Sequence, residues 1–397
     1  MNPRSEPTRR HLQRYRQRLS HLEEAGRLRT ERTVDSFPDG TCEIQGRRLV
    51  NFGGNDYLNL AHEVWQCPDF QAVVNQQLGA TASALVSGRS RWHGALEAEL
   101  AVFEGTESAL LFPTGYAANL GVLSGLVEKG DAVFCDRDNH ASIIDACQSC
   151  DGRMLVYRRD RLEALSESLQ RRQGEYERLY VVTDGVYSMD GNIASLQELC
   201  DVAERFGAAV IVDEAHGTGV LGDYGRGASD FCKVEERVLV RIGTMSKAMG
   251  GLGGFAVADR TTIALLRNTA RTQFFSTALP PAICAAMRES LRVIRSQPER
   301  RHRLAELTLF AHREIEILEL KSVGVGVAPI IPMLPPNGIS AVALSGRLSE
   351  AGFFVPAIRP PTVPDGTDRL RMSLTVQHTF EQIRAALQIV SAVSQQK

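Results

Sequence analysis

AAVIVDEA, residues 208–215, is a short apolar run that closes on acids. It does not alternate apolar with polar residues. It therefore reads as a strand buried on both faces, as in a parallel sheet covered by helices. Four more runs of the same kind surround it: SALLF (108–112), DAVFCD (131–136), RLYVVTD (178–184) and VLVRIGT (238–244). Between them lie apolar stripes at helical spacing. Tyr116, Leu120, Leu123 and Val127 share one face and stop at Lys129-Gly130, while Leu196, Leu199, Val202 and Phe206 form another. Strand alternating with helix is the βαβ signature of an α/β domain with a mostly parallel sheet.

After about residue 285 the pattern changes. A polar helical stretch, SQPERRHRLAELTLFAHREIEIL (296–318), leads into VGVGVAPIIPML, a helix ending at Gly352, FFVPAIRPPTVP, RLRMSLT and a last helix. We expect an N-terminal helix and arm over 1–50, a large α/β domain over 51–285 and a smaller α+β domain over 286–397. In the arm, Leu12, Tyr15, Leu19 and Leu22 recur at helical spacing with arginines between them, which predicts an amphipathic helix laid on a larger body. The basic start has no apolar core, so it is not a secretory signal, and Glu6, Glu23 and Glu24 argue against an organellar transit peptide.

A chain of 397 residues, 43% of them hydrophobic, can bury one large and one smaller core. A formal net charge of -2 gives no bulk electrostatic reason to expect nucleic acid or a membrane as partner. No apolar run approaches the roughly 18 residues that span a bilayer. Eight cysteines without a signal peptide point to free thiols in a reducing compartment, the cytoplasm. Cys147 and Cys150 form one CxxC, but no second pair or histidine cluster completes a metal site, so they read as buried or helical thiols.

Open α/β sheets bind ligands at the carboxyl ends of their strands, so the residues that follow each strand carry the chemistry. SALLF is followed by Pro113-Thr114-Gly115-Tyr116, a turn that opens a helix and offers free N–H groups to a phosphate. DAVFCD leads to His140, and YVVTD to Gly185 and Ser188. Asp213 ends the AAVIVD run, where a carboxylate needs a cationic or hydrogen-bonding partner, and His216 follows it. VLVRIGT leads to Met245-Ser246-Lys247 and then to Gly250, Gly251, Gly253 and Gly254. Desolvation there lowers the pKa of a lysine and favours imine chemistry. Taken singly, each of these residues is more often structural. Together they fit a pyridine cofactor: an acid for the ring nitrogen, an amine for the imine, a histidine to stack on the ring.

With those residues in view, the chain resembles the α-oxoamine synthases, pyridoxal-phosphate (PLP) enzymes of the aspartate aminotransferase fold (fold type I). The resemblance rests on NFGGNDYLNL (51–60), SGRSRWHGALEAEL (87–100), FPTGYAANL (112–120), NHAS (139–142), TDGVYSMDGN (183–192), VDEAHGTGVLGDYGRG (212–227), GTMSKAMGGLGG (243–254), FFSTALPP (274–281) and AIRPPTVPDGTDRLRMSLT (357–375). HGTGVLG and IRPPTVPDGTDRLR are most similar to the branch that serves biotin synthesis.

The resemblance implies a role for each position. Lys247 would carry the cofactor as a Schiff base, Asp213 would pair with the pyridinium, His140 would stack on the ring and His216 would reach its phenolic oxygen. Gly115, Tyr116 and Thr244 would hold the phosphate, with Ser188 also at the cofactor. Ser276 and Thr277 would reach the phosphate of a neighbouring subunit, which implies a homodimer with shared sites. Arg371, helped by Asn55, would take the amino-acid carboxylate. Arg29 and Thr362 would contact the acyl substrate.

The implied reaction is a decarboxylative condensation of L-alanine with an acyl thioester, pimeloyl-CoA or pimeloyl carrier protein. The alternative is the acetylation of glycine, or a relative with another acyl donor. A non-catalytic PLP-fold subunit is the competing class, and such subunits typically lack the lysine that stands here at 247. Two departures bear on specificity rather than chemistry. Asp184 stands where glutamate is more usual, and GATASA (79–84) has Ala84 where the family often has arginine.

Overall fold

The computed structural model describes residues 5–395 apart from 30, 325, 337 and 361. Its centre is a seven-stranded sheet in the order Ser108–Phe112, Gly254–Ala258, Val238–Thr244, Ala208–Asp213, Leu179–Asp184, Ala132–Asp136, Arg153–Tyr157. Only Gly254–Ala258 runs antiparallel, and it does so to both of its neighbours. A short return loop allows nothing else, because a parallel neighbour needs a long crossover. That loop, residues 245–253, carries Lys247. Its glycines earn their place through contact: Gly250 has φ +69°, and a Cβ there would sit 2.3 Å from the amide nitrogen of Ala61.

The apolar runs are buried on both faces, as their lack of alternation predicts. Leu110, Phe112, Val182, Ile211 and Ile242 pack under the helices Gly115–Leu126, Ala141–Ser149 and Arg260–Thr269. Their sequence neighbours Ala109, Leu111, Val181, Val210 and Val212 face the opposite layer, with Leu96, Leu165 and Leu199. Successive strand residues point to opposite faces, so one continuous run fills two cores.

Two small sheets flank this body. Arg369–Ser373 is the middle strand of one, between Ile330–Met333 and Ala357–Ile358. In the other, Asp35–Ser36, Thr41–Ile44 and Arg47–Asn51 are joined by Phe353–Phe354, so the N-terminal arm pairs with the C-terminal third of the chain. The helix Pro281–Ser296 runs unbroken across residue 285, and the next begins at Glu299, just after Pro298.

One expectation needs correction. The N-terminal helix Glu6–Glu24 forms, but it is not laid on the rest of this chain: none of its residues is buried, and Tyr15 and Leu19 are each 53% exposed. The stripe reflects helical periodicity alone and does not say what covers it. No described helix is long and apolar enough to cross a membrane.

Candidate active site

A cavity of about 220 Å³ opens at the carboxyl ends of the parallel strands. It gathers Gly115, Tyr116, His140, Ser188, Asp213, His216, Thr244 and Lys247, together with Asn119, Ser142, Asp184 and Ser246.

One wall is the start of the helix Gly115–Leu126. The Thr114 hydroxyl accepts from the Ala117 N–H at 3.0 Å, and the N–H groups of Gly115 and Tyr116 have no acceptor among the described residues. Thr244 stands against this turn: a Cβ on Gly115 would lie 3.1 Å from the Thr244 Cβ. Glycine thus keeps open a cradle of two N–H groups, donors for a phosphate, beside the Thr244 hydroxyl, which here donates to the Gly253 carbonyl at 2.9 Å. The Tyr116 hydroxyl donates to the Asp145 carboxylate.

Asp213 is 5% exposed and finds the partners its burial demands. Its Oδ1 accepts from the Ala215 N–H at 2.8 Å and its Oδ2 from the Asn119 amide at 2.6 Å. The parallel register puts Asp184 directly beside it. Burial, and then the charge of Asp213, push the Asp184 carboxyl well above the usual carboxylate range. The Asp184 Oδ2 accepts from the backbone N–H of His140 at 2.6 Å. The His140 Nδ1 accepts from the backbone N–H of Ser142 at 3.2 Å. Burial lowers its pKa, Asp213 opposes that and Lys247 adds to it.

Burial also pushes His216 well below the usual imidazole range, with Lys247 and Arg371 adding to the effect. Its Nδ1 lies 2.6 Å from the hydroxyl of Tyr57, whose own pKa burial raises to about 12. The Tyr57 hydroxyl also donates to the Asn55 Oδ1 at 3.3 Å. Lys247 is partly buried, and desolvation lowers its pKa to about 8 against the pull of Asp213 and Asp184.

Arg371 is 7% exposed on the middle strand of its small sheet. Its Nε donates to the Ser188 carbonyl at 2.6 Å, Nη1 to the Ser373 hydroxyl at 2.8 Å and Nη2 to the Asn55 carbonyl at 3.3 Å. These acceptors are all neutral. A buried guanidinium without a carboxylate partner among the described residues is poised for an anion from outside.

The other expected residues lie apart from the cavity. Arg29 Nη2 donates to the Thr362 hydroxyl at 3.0 Å. Arg359 holds the same segment through the carbonyls of Gly26 and Leu28, at 2.6 and 2.9 Å. Thr277 is exposed and bridges to Ser83, and neither it nor Ser276 lines this chain's own cavity. Sequence reasoning did not single out Asn119, Ser142 or Tyr57. For Asn119 a signal existed: it lies four residues after Gly115, on the same helix face.

All eight cysteines are free thiols. Among the described residues no group of three or more His, Cys, Asp or Glu could hold a metal ion.

Residues 47–390 match the aminotransferase class I and II family. The chain is 40% identical over 385 residues to 8-amino-7-oxononanoate synthase 2 of Bacillus subtilis, covering 96% of this chain and 97% of that one. Among solved structures, a serine palmitoyltransferase variant from S. paucimobilis, with PLP and myriocin bound, superposes with a TM-score of 0.88 at 30% identity, covering 98% of each chain. An 8-amino-7-oxononanoate synthase from Francisella tularensis superposes with a TM-score of 0.75 at 29% identity, covering 87% of this chain and 97% of the other.

Proposed function

The chain belongs to the class I and II aminotransferase family, and we propose that within it the protein is a PLP-dependent acyltransferase of biotin synthesis. L-Alanine and a pimeloyl thioester, on CoA or a carrier protein, give 8-amino-7-oxononanoate, carbon dioxide and the free thiol. The observation that carries this reading is the convergence on one cavity of a desolvated lysine, a carboxylate pinned by two donors and a pair of helix N–H groups with no acceptor among the described residues. The 40% identity to the B. subtilis synthase supports the choice of substrates.

Bound PLP supplies an aldehyde carbon that takes up an amine and a protonated ring that draws electrons from the substrate α-carbon. The chain's residues do the rest. Gly115, Tyr116 and Thr244 hold the phosphate. Asp213 would pair with the ring nitrogen, His140 would cover the ring face, and His216 would reach the phenolic oxygen. Lys247 would anchor the cofactor covalently, and its Nζ, once freed, would be the base for the substrate α-proton. Arg371 and Asn55 grip the carboxylate, which fixes the bond to be broken. Arg29 and Thr362 border the acyl end.

We place Ser276 and Thr277 at the phosphate of a second copy, in a homodimer. Their position outside this chain's cavity and the 67% exposure of the adjacent Phe275 support that. The eight free thiols support a cytoplasmic setting.

A panel of amino acids against acyl thioesters tests the assignment. Alanine with a pimeloyl thioester should be the fastest pair. Faster glycine with acetyl-CoA would move the protein to the 2-amino-3-ketobutyrate-forming branch, and faster serine with a long-chain thioester to the serine palmitoyltransferases. The clamp has its own test. Arg371→Leu should weaken alanine binding roughly 10- to 100-fold, the value of hydrogen bonds to a charged group, with PLP still bound. Alanine titration of the visible band reads this, and unchanged affinity would return Arg371 to a structural role.

A further inference from the structure

We infer that Asn119 is a positioning residue that sets two active-site groups at once: Asp213 directly, and His140 through Ser142. The inference rests on the reading of the cavity as a PLP site. Asn119 lies in the second turn of the helix Gly115–Leu126 and is 2% exposed. Its amide nitrogen donates to Asp213 Oδ2 at 2.6 Å and to the Ser142 hydroxyl at 3.0 Å, with a longer contact of 3.5 Å to the Gly115 carbonyl. The amide has one tenable orientation, because the flipped form would set its oxygen against a carboxylate. That orientation is held although the buried Oδ1 has no partner. Leaving a buried acceptor unpaired is costly, so the two donated bonds decide how the side chain lies.

The direction of the chain follows. The Ser142 hydroxyl accepts from Asn119 and lies 2.8 Å from His140 Nδ1. The backbone N–H of Ser142 donates to the same nitrogen. Nδ1 is therefore an acceptor, and the neutral ring carries its proton on Nε2. Meanwhile both oxygens of Asp213 are pinned, Oδ2 by Asn119 and Oδ1 by the Ala215 N–H. One amide thus ties the acid expected at the edge of the bound ring to the imidazole expected over its face. Neither arm involves the carboxylate clamp at Arg371 and Asn55.

Two measurements separate this inference from the reading it rests on. In cofactor-free protein with labelled histidine, nitrogen-15 NMR should find His140 as the Nε2–H form. Ser142→Ala and Asn119→Leu should both shift the His140 Nδ1 resonance, while the Ser142 backbone N–H keeps Nδ1 an acceptor. This arm does not need PLP to bind, so a protein that binds no PLP but keeps the tautomer overturns the cofactor reading and not the network. In holoenzyme, Asn119→Leu should weaken PLP about 10-fold or more. It should at least halve the visible circular dichroism of the bound cofactor, which reports ring orientation, and should lower kcat while the KM for alanine stays within about 3-fold. Ser142→Ala, which removes one oxygen atom, keeps the test decisive if the leucine variant does not fold. An Nδ1–H form in the wild type, or a His140 Nδ1 resonance unmoved in Ser142→Ala, overturns the His140 arm. Wild-type cofactor affinity and dichroism in Asn119→Leu overturn the whole inference.

Discussion

Lys247→Ala will take up PLP without a covalent bond and turn over at background, a loss of about 10⁴-fold or more, since general-base transfer alone contributes about 10²–10⁴ and the covalent anchor is lost with it. Borohydride reduction of the wild-type holoenzyme followed by peptide mapping locates the anchor independently. The composition makes that test sharp. The chain has only five lysines, and Lys129, Lys233 and Lys321 are exposed. Lys233 is also paired with Asp223 at 2.7 Å. Lys247 alone lines the cavity, and label on any other lysine removes the assignment.

The same residue predicts a pH dependence. Burial disfavours the ammonium and lowers the Lys247 pKa to about 8, so the reactive neutral amine appears at lower pH than for a solvated lysine. At pH 8 about half of Lys247 is neutral, against under ~1% of a lysine at its ordinary value. The rate at which cofactor-free protein develops the visible band should rise with pH through about 8 and then level off. A rate still climbing steeply at pH 10 would mean that Lys247 is solvated.

How far the sequence led depends on what each element needed to reveal itself. The five strands that were read are continuous apolar runs, and burial on both faces is a local property of composition. Gly254–Ala258 escaped notice because the preceding glycines look like loop, while its antiparallel direction comes from the short return past Lys247. Pairing of Arg47–Asn51 with Phe353–Phe354 joins segments some 300 residues apart, and neither short strand signals its partner. The Leu12–Leu22 stripe showed the opposite failure: periodicity announced a helix correctly and its covering wrongly.

At the site, legibility followed chemical distinctiveness. A lysine or an acid at a strand end is conspicuous because burying it is costly. Asn119 and Ser142 carry no charge and sit in ordinary helices; only their convergence on Asp213 and His140 gives them meaning. Asp184 was visible at its strand end, but its position beside Asp213 is a matter of register, which no local pattern encodes.

That register gives the second large effect. Two carboxyl groups side by side in a buried sheet edge do not both ionise readily. Asp184 is the one held well above the usual range, and it takes the His140 N–H. Asp213 receives the Asn119 amide and the Ala215 N–H, donors suited to an anion. The donors thus favour a negative charge at the residue assigned to the ring nitrogen. An opposite charge beside a titrating group changes its pKa by about 1–3 units, so a ring nitrogen bound next to Asp213 would hold its proton more firmly than one next to a neutral amide. Asp213→Asn keeps the shape and removes the charge. Its amide must also set a donor against either Asn119 or the Ala215 N–H. The variant should fold and still bind PLP through Lys247. Its exchange of the alanine α-proton with deuterium, followed by proton NMR, should fall by about 10²-fold, the scale of two pKa units lost from the electron sink. Asp184→Asn, at the carboxyl that burial and Asp213 push up, should change exchange far less. Exchange near the wild-type rate in Asp213→Asn, or an equal loss in both variants, would show that the charge at Asp213 is not what activates the ring.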